Sequence, residues 1–554
     1  MDGVGKGVMK GNRFLLDCTL RDGGYVNDWE FGYDNIINIF ERLVTSEVDV
    51  IEIGFLDDRR EFDLNRTIMP CTQDVRKIFG SLNKGDSMVV GMIDYGTCSL
   101  DNIEDCSESL LDGIRVIFKQ QVASEALDYC REIKKKGYKV FAQLVSVTTY
   151  SDDDLKDLIE KVNDLQPYAL SMVDTYGLLE PSKLTHIMTV IDKYLDKKIV
   201  LGFHAHNNFQ LGFANAMTVL NSGFERDVLV DGTLYGMGKS AGNAPTELIA
   251  MYMNSNYEKN YSVEDLQEAI STSLMDIYRK TPWGYKLFFY IAALNKVHPD
   301  YVSFLMNKGT LSVTEINDLL QKIPEQDKLG KNIKGLEHIY LEYQKNECDD
   351  ANTIKDLNSE YVDKNILILG PGRTIREKEM DITDYIDKYN PIVISINYIP
   401  DNYKLDYVFV SNSQRYLMMA SKLVEAKNKK LKIIATSNVT RMEEKLTSFD
   451  YRVNYSKLID EENEECPDNS LLMLLTLLIK IGVKQVAIAG CDGYTPDDVN
   501  YVQENMEYTF IKRIADKLNQ DVKKYIFDFK NQIGVKFITP SKYERKNEVF
   551  KYES

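Results

Sequence analysis

Strand-like and helix-like segments alternate eight times in the first half of this chain, and that alternation restricts the fold more than any other feature. The aliphatic runs are residues 14–18, 48–55, 88–94, 113–118, 139–147, 168–174, 199–206 and 228–234. Longer stretches with apolar residues at helical spacing follow them, as at 35–43, 124–136, 155–165, 183–195 and 210–222. Eight such units fill the length that a (β/α)8 TIM barrel occupies, whereas a doubly wound open sheet is the other α/β arrangement with the same alternation. Polar residues decide for the barrel. Residues 17–22, Glu52, Asp94, Gln143, Asp174, His204, His206 and Asp231 all fall at the carboxyl ends of the runs, and in a barrel those ends share one face, where active sites are built.

The chain has 554 residues, more than a single hydrophobic core accommodates, so at least two domains are expected. Residues 1–300 are assigned to the barrel. Residues 301–363 are read as a helical extension and linker, because helical periodicity gives way to a polar, acidic stretch at 345–363. Residues 364–554 are read as a smaller Rossmann-like α/β domain with strands at 365–369, 392–396, 407–410, 432–435 and 485–489. The balance of 44% apolar and 27% charged residues is that of an ordinary globular protein. A net charge of −18 argues against nucleic-acid binding, which needs a concentrated positive surface. No signal-like or membrane-length apolar run is present, so a cytoplasmic protein without a membrane partner is expected. Cysteines 18, 71, 98, 106, 130, 348, 466 and 491 form no CxxC pair and read as reduced thiols.

Three motifs carry chemistry in the barrel. Residues 17–25 (DCTLRDGGY) place Arg21 and Asp22 on the turn leaving the first strand. Residues 202–208 (GFHAHNN) hold two of the chain's five histidines, His204 and His206, two apart on one strand and so on one face. With Asp22 they would offer two imidazoles and a carboxylate to Mn²⁺, Co²⁺, Zn²⁺ or Mg²⁺. Residues 236–247 (GMGKSAGNAPTE) follow the eighth strand with glycines that permit close backbone approach.

In this order and at these strand ends, the three motifs resemble those of the DRE-TIM metallolyases, which include 4-hydroxy-2-oxovalerate aldolase, isopropylmalate and homocitrate synthases and HMG-CoA lyase. The resemblance spans residues 14–300 and implies that Asp22, His204 and His206, with Asn243 as a further ligand, hold a divalent metal, Mn²⁺ foremost. Arg21 would bind the keto-acid oxygen and stabilise an enolate, making this a metal-dependent aldolase acting on a pyruvate-type 2-keto acid and an aldehyde. Where the aldolase branch has a catalytic histidine, this chain has Tyr25, which becomes the candidate base; Tyr235, Tyr285, Tyr290 and His298 are further candidates. Glu52 and Asp174 would order the site from behind. An acyl-CoA-dependent Claisen synthase and a non-catalytic sensor of metal and keto acid are the alternatives.

In the second domain the strand at 365–369 runs into Gly370-Pro371-Gly372-Arg373-Thr374, the layout of a phosphate loop without the third glycine of the dinucleotide fingerprint. Gly370, Gly372, Arg373 and Thr374 are therefore candidate contacts for a nucleotide or nucleotide sugar. Asn397, Ser411, Asn412 and residues 490–493 stand at other strand ends. The domain faintly resembles 6-hydroxymethylpterin diphosphokinase-like proteins and some bacterial sialyltransferases, which would tie the two halves together in making an unusual surface sugar. A homo-oligomer is expected.

Overall fold

In the computed structural model, nine strands build the first unit: β1 (Arg13–Asp17), β2 (Val50–Leu56), β3 (Ile68–Met69), β4 (Met88–Asp94), β5 (Gly113–Phe118), β6 (Lys139–Leu144), β7 (Ala169–Asp174), β8 (Val200–Ala205) and β9 (Val228–Gly232). The residues described are 11–544, apart from 329, 331, 429, 440–447, 460–467, 497, 504, 505 and 508–510. Eight of the strands run in the parallel order β1-β9-β8-β7-β6-β5-β4-β2, and pairing of β1 with β2 closes them into a TIM barrel. The short β3 pairs only with β2, beyond an irregularity between Glu52 and Phe55.

The barrel interior follows from the period of two along each strand. Leu16, Val50, Val90, Phe141, Ala169, Val200 and Leu229 pack together as one apolar layer. Two residues further along, on several of these strands, stand Glu52, Gln143, Ser171 and Asp231, joined by Arg115 from β5. The same alternation that fills the base with hydrocarbon thus stacks a polar layer directly beneath the mouth. The outer helices bury one face against the barrel: Tyr33–Thr45, for example, buries Ile36, Ile39, Phe40 and Leu43 at spacings of three and four.

The second compact unit comprises Asp300–Ser554. Its seven parallel strands are β10 (Ile366–Leu369), β11 (Ile392–Ile396), β12 (Tyr407–Val410), β13 (Lys432–Thr436), β14 (Tyr451–Val453), β15 (Gln485–Ala489) and β16 (Gly534–Phe537), in the order β14-β13-β12-β11-β10-β15-β16. The two edge strands, β14 and β16, were not apparent in the sequence. Each has three or four residues and an exposed basic side chain, Arg452 or Lys536, which breaks the apolar run.

Helices between residues 300 and 344 belong to this unit. The acidic stretch read as a linker contains a helix, Ala351–Tyr361, whose Leu357 and Tyr361, four apart, join the core of the second sheet. The seven described cysteines are free, and Cys466 lies outside the described residues. Among the described residues, no helix is long and apolar enough to cross a membrane.

Candidate active site

The mouth of the barrel gathers Arg21, Asp22, His204, His206 and Asn243, each 6% exposed or less. Arg21 and Asp22 lie in the single helical turn Thr19–Asp22 that leaves β1. His204 is on β8. His206 stands just past that strand's end, where it bridges to Asn243 in the loop after β9. Gly238 permits the loop to come this close: a Cβ there would lie 2.1 Å from Asn243 Nδ2 and 2.7 Å from Asp22 Oδ1.

His204 Nε2 lies 3.5 Å from Asp22 Oδ2, and His206 Nε2 lies 3.7 Å from Asp22 Oδ1. The opposite ring nitrogens are spoken for. His206 Nδ1 donates to the Thr175 carbonyl at 2.7 Å, and His204 Nδ1 to Asp231 Oδ2 at 3.1 Å. A carbonyl can only accept, so His206 carries its proton on Nδ1 and presents an Nε2 lone pair inward. The Asn243 amide donates to Asp22 Oδ1 at 2.9 Å and to the Met237 carbonyl at 3.2 Å, which turns its Oδ1 the other way. His204 Nε2, His206 Nε2 and Asn243 Oδ1 are buried and have no hydrogen-bond partner. Buried acceptors are not left this way without cost, and two imidazole nitrogens, an amide oxygen and a carboxylate make a donor set that fits a divalent cation. A second grouping, Cys18, His204 and Asp231, also falls within ligand range. It would need the His204 Nδ1 that Asp231 already engages, and burial holds the Cys18 thiol well above its usual value.

Behind these groups runs a closed ring of charge. Arg21 Nη1 pairs with Asp22 and its Nε with Glu52 at 2.7 Å; Glu52 meets Arg115 Nη1 at 3.1 Å; Arg115 pairs with Asp231, and Asp231 holds His204. Burial would push the Asp22 carboxyl up, but the Arg21 guanidinium and the two histidines outweigh it and hold the group well below the usual carboxylate range. Asp231 likewise is lowered, against burial, by Arg115 and His204. Asp174 accepts from the backbone N–H groups of Leu178 and Leu179 at 2.9 and 3.0 Å. It thereby shapes the turn that carries the Thr175 carbonyl to His206.

A cavity of about 60 Å³, room for a few water-sized groups, is lined by Arg21, Asp22, Tyr25, His204, His206 and Lys239, among others. Tyr25 stands at its rim, 44% exposed, with Trp29 4.8 Å from its ring and Lys239 Nζ 5.4 Å above it. Burial and the nearby Asp22 carboxylate push its phenol up to about 12, so it stays protonated at neutral pH. Tyr235, Tyr285, Tyr290 and His298 do not line the cavity. Arg115, which closes the ring of charge, was missed from sequence, where it reads as one polar residue inside the strand Gly113–Phe118.

In the second unit, Gly370 and Gly372 are required by contact between two strand-end loops. A Cβ on Gly370 would lie 2.5 Å from the Gly490 carbonyl oxygen, and one on Gly372 2.5 Å from Asp492 Cγ. The donors of Thr374 are taken by Asp492, its N–H at 2.9 Å, and Arg373 pairs with Asp498 and Glu377. Arg373 and Thr374 therefore meet carboxylates of this chain where a ligand phosphate was expected.

A parallel barrel whose carboxyl-end mouth buries a carboxylate and two imidazoles beside an arginine has the donor set of a divalent-metal site. Residues 13–274, which lie within the first unit and make up somewhat under half of the chain, match the HMGL-like family model. The 2-isopropylmalate synthase of Saccharolobus solfataricus is 26% identical over 257 residues, covering 46% of this chain and 66% of that enzyme. The 4-hydroxy-2-oxovalerate aldolase of a Marinomonas species is 23% identical over 275 residues, covering 47% of this chain and 78% of the aldolase. The HMG-CoA lyase of Bacillus subtilis aligns in structure over 50% of this chain and 95% of its own, with 18% identity and a TM-score of 0.40. Each of the two sequence matches covers under half of this chain, and the synthase match spans about two-thirds of that relative.

Proposed function

We propose that the barrel is a divalent-metal-dependent aldolase that joins a pyruvate-type 2-keto acid to an aldehyde, or cleaves the product. The observation that carries this is the set of three buried, unpartnered acceptors, His204 Nε2, His206 Nε2 and Asn243 Oδ1, arranged around Asp22 and beside Arg21. Asp22, His204, His206 and Asn243 would hold the metal, Mn²⁺ foremost, which would supply Lewis-acid polarisation of the keto oxygen.

The buried charges suit an anionic substrate. Asp22, Glu52 and Asp231 against Arg21 and Arg115 leave one net negative charge, which a divalent cation converts to one net positive, matched by a single carboxylate. Arg21 has its Nε and Nη1 committed to carboxylates, so its Nη2 edge is what turns to the substrate oxygen where enolate charge develops. Tyr25, protonated at the rim, gives its proton to the aldehyde oxygen as the new bond forms and recovers it in cleavage. Its role is therefore that of an acid in the addition direction, in place of the base read from sequence.

Incubating the full chain and Mn²⁺ with pyruvate in deuterated buffer tests this reading. Exchange of the methyl protons, abolished by chelation and restored by Mn²⁺, is expected; a binder without catalysis would show none. The match to 2-isopropylmalate synthase favours the Claisen reading as the second choice, and release of free thiol from acetyl-CoA in the presence of a keto acid would select it.

A further inference from the structure

Over the carboxyl ends of β10, β11 and β15 lies a cavity of about 810 Å³, lined wholly by residues of the second unit. Its position follows from the strand order. From β10 the chain builds outward through β11 to β14, then returns to add β15 and β16 on the opposite side of β10. Neighbouring strands at such a reversal lead their chains to opposite sides of the sheet, and the carboxyl ends of the strands at that point are where open α/β sheets take ligands. Here those loops are Gly370–Gly372 and residues 490–493, and both line the cavity.

The floor is polar and tightly cross-linked. Asn397, the residue just past β11, with a φ of +49°, accepts from the Ser411 N–H at 2.9 Å and donates to the hydroxyls of Ser411 and Ser470 at 3.1 and 2.8 Å. Asn412 caps the following helix through the Arg415 N–H at 2.9 Å. The walls carry aromatic rings, among them Tyr340, Tyr455, Tyr494 and Tyr501, and the Arg415 guanidinium lies 5.1 Å from the Tyr501 ring centre. Helices Pro299–Asn307 and Ile333–Gln344 contribute Phe304 and Leu341 from the other side, and Lys308 follows the first of them. Lining cations such as Lys308 and Arg415 are offset by carboxylates such as Asp468 and Asp492, so the surface does not select for a polyanion.

We infer that this cavity binds a nucleoside-type ligand, its planar heterocycle held among the tyrosine rings and its ring edge and hydroxyls bonded by the Asn469 amide N–H and the Ser470 hydroxyl, which line the cavity over a floor fixed by Asn397 and Asn412. The volume lies in the range of about 300–1,000 Å³ typical of small-molecule sites. Amide and hydroxyl groups both donate and accept, which suits the mixed edge of a base and the hydroxyls of a sugar. Flat aromatic walls suit its faces. The ligand sits on the cavity side of the β10 loop, away from Arg373 and Thr374, whose donors other residues occupy.

Calorimetric titration of the full chain with adenosine, guanosine, cytidine and uridine, their 5′-monophosphates and inorganic phosphate is the test. At least one base should bind. Tyr501→Ala should weaken that binding roughly 10–100-fold, the usual effect of removing a stacking ring, and Ser470→Phe should abolish it by filling the floor. Arg373→Ala should leave it unchanged. If Ser470→Phe does not fold, Tyr501→Ala reads the same cavity. Failure of every nucleoside and nucleotide to bind overturns the inference, and so does phosphate binding as tightly as the nucleotides. Binding lost in Arg373→Ala but kept in Tyr501→Ala moves the ligand to the loop and also overturns it.

Discussion

Asp17→Asn should stabilise the barrel at pH 8 and slightly destabilise it at pH 4. Asp17 is fully buried at the end of β1, where Thr246 Oγ1 donates to it at 2.6 Å and the Thr19 N–H at 2.9 Å. Burial pushes its carboxyl from 3.8 up to about 6, in spite of those two bonds. The folded state therefore binds the proton more tightly than the unfolded chain. The resulting stabilisation is fully present below pH 3.8 and is lost as pH rises through about 6. At about 1.36 kcal/mol per pH unit, the ionised carboxylate leaves the folded barrel about 3 kcal/mol less stable at pH 8 than its protonated form would be.

An amide removes that charge but can accept only on one side, which forfeits about 1 kcal/mol of hydrogen bonding. The variant should thus gain about 2 kcal/mol at pH 8 and lose about 1 kcal/mol at pH 4, so that the two stability curves cross. Urea unfolding between pH 4 and 8, followed by tryptophan emission, measures this in the full chain. Both tryptophans, Trp29 and Trp283, lie in the first unit, so the signal reports the barrel alone. Parallel curves, with the variant weaker by the same amount at every pH, would refute the reasoning.

Two substitutions probe the ring of charge. Arg21→Lys keeps a cation but loses the fork that engages Asp22 and Glu52 together; turnover should fall on the order of 10²–10³-fold with Mn²⁺ affinity changed far less, and turnover equal to the parent's would remove Arg21 from the reaction. Asp231→Asn should weaken Mn²⁺ binding by about 10–100-fold, because it loosens the partner that orients His204; unchanged affinity in a metal titration would show that His204 is held without it.

The barrel was legible because its strands obey a period of two and its helices a period near 3.6 over eight repeats. The metal-type cluster was legible for a related reason, since His204 and His206 are two apart and Asp22 lies on the short turn that leaves the first strand. What linked them was not. Arg115 and Asp231 pair across 116 positions of sequence, and pattern along the chain carries no information about which strands face each other through a closed interior. A lone arginine amid the apolar residues of β5 was the available signal. The glycines at 370 and 372 were read as room for a phosphate, because a glycine grants the same room whether a ligand or another loop fills it. Here Gly490 and Asp492 fill it. The proton on Tyr25 was equally out of reach, since it depends on burial and on the distance to Asp22.

The helices before residue 364 set where this protein can be divided. Asn412 Nδ2 donates to the Gly309 carbonyl at 3.0 Å, Ser413 Oγ to Glu315 Oε1 at 2.9 Å, and the Asn454 N–H to Asp350 Oδ2 at 2.9 Å. A fragment beginning at the first strand of the second sheet would lose all three partners and one wall of its cavity, and would present Phe409 and its neighbours without Leu357 and Tyr361. The piece that a recombination event or a protease could separate intact starts near residue 300, so gene fusions that carry this sheet elsewhere should carry its sixty or so preceding residues with it.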